Sequence, residues 1–98
     1  MKVAKKTDVV EGKPFCSIAE GKKIALFKVG GAYYAVENTC THMGGPLCKG
    51  TLSGEVVECP WHGSKFNVKT GTVVRGPANR PAKQYKVRVV GEDIEVIG

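Results

Sequence analysis

Cys59-Pro60-Trp61-His62-Gly63-Ser64-Lys65-Phe66 decides the reading of this chain once it is set beside Cys40-Thr41-His42-Met43-Gly44-Gly45-Pro46-Leu47. Each stretch opens with a cysteine and brings a histidine after one or two intervening residues. Sixteen residues separate His42 from Cys59. Each arm therefore offers one thiolate and one imidazole, not two of a kind. A diiron centre with two thiolates on one iron and two imidazoles on the other asks for that mixture. The four candidate ligands are Cys40, His42, Cys59 and His62.

The charge of such a centre sets its use. Two ferric ions, two sulfides and two thiolates sum to about zero, whereas four thiolates would leave about −2. An electron is added more easily to a neutral core than to a dianion. The mixed set therefore implies a reduction potential of roughly −150 to +300 mV. The main rival is a structural zinc site. Zinc fingers usually present two cysteines together and two histidines together, and here each arm carries one of each. A Cys–His nucleophilic pair would leave the second arm unexplained.

Outside the two arms, the chain reads as short strands separated by glycine-rich turns. Phe15 to Ala19 is apolar and partly β-branched, and Ile24 to Val29 follows after Glu20-Gly21-Lys22. Gly30-Gly31 leads into Ala32 to Glu37, the two-residue link that favours a hairpin. Glu55 to Cys59 runs into the second arm. Lys65 to Val68 and Thr72 to Val74 flank Lys69-Thr70-Gly71. Gln84 to Val90 alternates, with Tyr85, Val87 and Val89 on one face and Lys86 and Arg88 on the other. Gly91-Glu92-Asp93 turns into Ile94 to Ile97. No segment sustains a helical period. The expectation is an all-β domain spanning 1–98, built as small stacked sheets or an incomplete barrel, with both arms in loops at strand ends. Glycine and proline give such loops their sharp turns.

The chain has 98 residues, enough for one domain with a modest core, and 42% of them are hydrophobic. Its longest apolar runs, such as Ile24-Ala25-Leu26-Phe27, are too short to cross a bilayer. No apolar stretch follows the first lysines, so no secretory signal or membrane anchor is read, and a cytoplasmic location is expected. Thiols stay reduced there, which favours metal ligation over disulfides for the four cysteines. Cys16 reads as a buried apolar thiol. Cys48 reads as a loop thiol, a redox-sensitive thiol, or a disulfide partner of Cys16.

Net charge is +6 and unevenly placed: Lys49 is the only basic residue between Asn38 and Ser64, with seven Lys or Arg before that window and seven after. No helix-turn-helix pattern or long basic run points to nucleic acid. The distant lysines are either a solvated surface or a means of steering an acidic protein partner.

At these motifs the chain resembles the Rieske-type iron–sulfur proteins. The resemblance extends over its length and strand order, including Pro81-Ala82-Lys83-Gln84-Tyr85 before the final hairpin. It implies one [2Fe-2S] cluster at the tip of three small antiparallel sheets. Cys40 and Cys59 would hold one iron, and His42 and His62 the outer one. Respiratory and photosynthetic members carry a disulfide between the two loops, at positions matching Gly45 and Trp61, and it cannot form here. They also have a serine and a tyrosine that raise the potential. Ser64 matches the serine, and Phe66 stands at the tyrosine position without a hydroxyl, which implies a lower potential. The resemblance is to soluble, lower-potential ferredoxins that carry electrons from a flavin reductase to an aromatic-ring-hydroxylating oxygenase. It implies an electron carrier and not an enzyme, with redox proteins as partners. A small subunit of another reductase complex is the alternative. Oxygenase activity needs a second iron site, and both histidines are already assigned. Met43, Pro46, Leu47, Pro60 and Trp61 would pack the loops together or form a low-charge docking tip.

Overall fold

The computed structural model describes residues 2–38, 46–61, 63–76 and 80–97. Among the described residues the chain forms ten strands: β1 Lys2–Lys5, β2 Phe15–Ala19, β3 Lys22–Val29, β4 Ala32–Glu37, β5 Thr51–Ser53, β6 Val56–Glu58, β7 Lys65–Asn67, β8 Val73–Arg75, β9 Gln84–Val90 and β10 Asp93–Ile97. Short 3-10 turns occupy Lys6–Asp8 and Leu47–Lys49. Gly30 and Gly31 take φ of 60° and 83°, the left-handed pair that closes a tight hairpin between Val29 and Ala32.

All strand pairings are antiparallel and form two sheets, ordered β1-β10-β9-β4-β3-β2 and β5-β6-β7-β8. The larger sheet is two three-stranded halves joined by a narrow seam, Ala35 opposite Tyr85 and Val36 opposite Gln84. The expected three small sheets are thus these two halves and the four-stranded sheet. The outer strands of the halves approach each other where the Ser17 hydroxyl donates to the Val3 carbonyl at 2.6 Å.

Two cores meet at β3. Ile24 and Leu26 face the space inside the six-stranded sheet, with Val9, Ala35, Ile94 and Val96. Ala25 and Phe27 face the other way, against Val57 and Phe66 of the four-stranded sheet and against Leu47. A strand buried on both faces cannot alternate, which explains the unbroken run Ile24-Ala25-Leu26-Phe27.

The sequence reading missed β1 and β5. β1 is held by its pairing with β10 and by one buried side chain, Ala4, between exposed lysines. The reading of the cysteines needs correction. Cys16 is neither a buried nor a free thiol: it forms a disulfide with Cys48, with Cα atoms 5.0 Å apart. The reason is register. Ser17 faces inward, so Cys16, opposite Ala25, shares the face on which the Leu47–Lys49 turn packs. Closing a loop over a sequence separation of 32 stabilises the fold by about 3–4 kcal/mol on a chain-entropy argument.

Candidate metal centre

Strand β6 delivers Cys59 to the start of a tight loop that returns into β7. The loop is closed at its base, where the Cys59 N–H donates to the Ser64 carbonyl at 2.7 Å. Pro60 contributes no N–H, and Gly63 adopts a φ of 76° that an L side chain would strain. The Cys59 side chain is buried, and the Trp61 N–H donates to its Sγ at 3.4 Å. An amide aimed at the sulfur places a donor where a ligating thiolate would carry negative charge. Ser64 is fully buried beside it, and Phe66, opposite Val57, belongs to the core beneath.

The base of the other arm is clamped at Asn38, just after β4. The Asn38 N–H donates to the Lys23 carbonyl at 3.0 Å. Its own carbonyl accepts from the Leu47 N–H at 3.0 Å, and its Oδ1 accepts from the Cys48 N–H at 2.7 Å. The chain therefore leaves and returns at one point. By sequence, Cys40 and His42 lie between these clamps. Gly50 then seats this base against the strand that carries Cys59: a Cβ at Gly50 would lie 2.1 Å from the Glu58 carbonyl oxygen. In the sequence reading Asn38 was only a boundary, and Gly50 had no place. An asparagine just ahead of the first arm and a glycine just after it were the available signals.

Of the expected ligands, Cys59 is placed as described, while Cys40, His42 and His62 lie outside the described residues. Met43 does too. Among the described residues no group of three or more His, Cys, Asp or Glu could hold a metal, as expected when three of the four ligands fall elsewhere. The residues present fit an iron–sulfur group: a buried sulfur with an aimed amide, and, among the described residues, no buried charged side chain. The proposed docking tip needs one correction. Leu47 is fully buried in the core between the sheets and offers no surface. Pro46 is half-buried, Pro60 is exposed and Trp61 is 49% exposed.

A buried cysteine loop pinched against the base of a second Cys/His loop, on an all-β scaffold, is the build of a small iron–sulfur protein. The sequence model of the Rieske [2Fe-2S] domain matches residues 1–86. The chain belongs to that family. It is 43% identical over 75 residues to Ferredoxin CarAc of Metapseudomonas resinovorans, covering 76% of this chain and 70% of the relative. The ferredoxin of Sphingomonas yanoikuyae B1 superposes with a TM-score of 0.94 at 28% identity, over 98% of this chain and 95% of that one. A chain from the complex of reduced oxygenase and oxidised ferredoxin in carbazole 1,9a-dioxygenase superposes with a TM-score of 0.90 at 35% identity. That match covers 99% of this chain and 100% of the other. The cofactor is one Rieske-type [2Fe-2S] cluster, and the protein is an electron carrier, not an enzyme. Among the described residues no helix is long and apolar enough to cross a membrane.

Proposed function

We propose that this ferredoxin passes single electrons from a flavin reductase to a terminal oxygenase, with Cys40, His42, Cys59 and His62 as the cluster ligands. Support for the acceptor comes chiefly from the full-length similarity to a chain of the carbazole 1,9a-dioxygenase oxygenase–ferredoxin complex. Support for the ligands comes from the two Cys/His arms and from the buried, amide-bonded sulfur of Cys59. When bound, the cluster supplies a one-electron couple in the Rieske range.

The chain's own residues have three tasks in this reading. The Cys59–Ser64 turn keeps water off the inner sulfur and holds an amide against it. Ser64 donates its hydroxyl toward the centre and raises the potential. Pro60 and Trp61, with Pro46, present a low-charge contact surface, while the basic residues outside the Asn38–Ser64 window steer an acidic partner. The whole chain, 1–98, works as one domain. A cytoplasmic setting belongs to this proposal, because flavin reductases draw on the soluble pool of reduced nicotinamides.

Visible absorption and electron paramagnetic resonance of dithionite-reduced protein test the centre, and single-turnover reduction of a ring-hydroxylating oxygenase tests the role. A Rieske-type signal lost in Cys59→Ser is the expected result. Protein that takes up zinc alone, or reduced protein that transfers no electron to any such oxygenase, overturns the reading.

A further inference from the structure

The Cys16–Cys48 bond lies outside the two ligand arms, yet it joins one of them to the sheet. Cys48 is buried, and its N–H is held by Asn38 Oδ1. Asn38 and Cys48 bracket the arm that carries Cys40 and His42. Through the disulfide this bracket is anchored on β2, an outer strand of the six-stranded sheet. Its two sulfur-bearing residues differ in access: Cys16 is exposed and Cys48 is not. Thiol–disulfide exchange depends on which sulfur can be reached. Two lysines lie at hand, one next in the chain and one in the sheet. Lys49 follows Cys48 directly, and Lys23, opposite Ile18, shares the face of Cys16. An incoming thiolate is drawn toward that charge.

We infer that the Cys16–Cys48 disulfide is a thiol–disulfide exchange site, open at Cys16, whose redox state sets how firmly the first ligand arm is held. The inference rests on the assignment of Cys40 and His42 as ligands. The reaction is a two-electron reduction by a dithiol. One thiolate of the dithiol attacks Cys16 Sγ, the Cys16–Cys48 bond breaks, and Cys48 leaves as a thiolate that takes up a proton. The second thiol of the reductant then closes onto its own partner sulfur, the mixed disulfide breaks, and Cys16 departs as a thiol. The reductant ends as a disulfide and the protein gains two thiols. Asn38 still clamps Leu47 and Cys48 by hydrogen bonds, but the covalent tie to β2 is gone.

The test treats the cluster-loaded protein anaerobically with dithiothreitol and reads three quantities. Mass spectrometry after thiol alkylation counts opened cysteines. Loss of visible absorbance gives the cluster release rate. Amide exchange at Leu47 and Cys48 reports on the arm with or without a cluster. The expected result is opening of this disulfide ahead of cluster loss, then several-fold faster release and several-fold faster exchange, all reversed on reoxidation. Cys16→Ser, an exposed change that keeps Cys48, reproduces the fast release without dithiothreitol and is not rescued by oxidation. That variant also separates loosening of the arm from direct attack of the reagent on iron. A disulfide that stays closed until the protein unfolds overturns the inference, as do unchanged release and exchange after opening. A protein that binds no cluster at all sinks the proposed function instead, and the amide exchange then decides this inference alone.

Discussion

The amide of Trp61 donates to the sulfur of Cys59 across 3.4 Å, while nearly half of the Trp61 residue surface remains in solvent. Backbone and ring therefore do separate work. Trp61→Ala keeps the amide and removes the ring. The spectrum and midpoint potential are expected to stay as they are. The second-order rate of electron transfer to the oxygenase is expected to fall about tenfold, the usual scale for an exposed aromatic anchor. Stopped-flow absorbance measures it. A wild-type rate with full cluster content would assign the ring to loop packing.

Ser64 is fully buried at the point where the second loop rejoins β7. Ser64→Ala is expected to lower the midpoint potential by on the order of 40 mV, the equivalent of one hydrogen bond of about 1 kcal/mol in a one-electron couple. Protein-film voltammetry gives the value directly. An unmoved midpoint in folded, loaded protein refutes the tuning role.

Gly50 is dictated by space and not by dihedral strain, since its φ is −80°. A methyl group there would run into the Glu58 carbonyl. Gly50→Ala is expected to cost about 1–3 kcal/mol in urea unfolding. Cluster release is expected to quicken as well, because the displaced backbone is the one that carries Cys59. Stability within error of wild type would show that the two arms are not seated through this contact.

Acid sensitivity follows from Glu55 and Glu95. The Asn67 amide, donating at 2.9 Å, and then the Lys69 ammonium at 3.3 Å hold the Glu55 carboxyl below the ordinary glutamate range. Arg88 does the same for Glu95. A carboxyl depressed in the folded state adds stability above its unfolded pKa, and that gain is lost as pH falls through the folded one. The stabilisation is thus complete near neutrality and fades below about pH 4.5. Glu55→Gln is expected to flatten the acid limb of the stability profile. Apo protein read by circular dichroism keeps ligand protonation out of the measurement, and an unaltered limb would contradict the assignment.

Much of the architecture was legible where a local rule decides it. Gln84 to Val89 alternates over six residues, and the Gly30-Gly31 pair can do little but turn a hairpin. Spacing alone singled out Cys40, His42, Cys59 and His62 as candidate ligands, and of these Cys59 falls among the described residues. What escaped depends on partners distant in sequence. Leu47 sits beside a ligand motif and is apolar, but only the packing of β3 against the smaller sheet shows that it points inward. Cys16 and Cys48 are brought together by a strand register that no local pattern reveals. β5 has three residues, too few to establish a period.

Strand β3 contributes to both hydrophobic clusters at once, Ile24 and Leu26 on one side and Ala25 and Phe27 on the other. Neither cluster can dissolve without stripping one wall from its neighbour. The two sheets are therefore expected to melt together, and the loop that carries Cys59 shares their thermal limit.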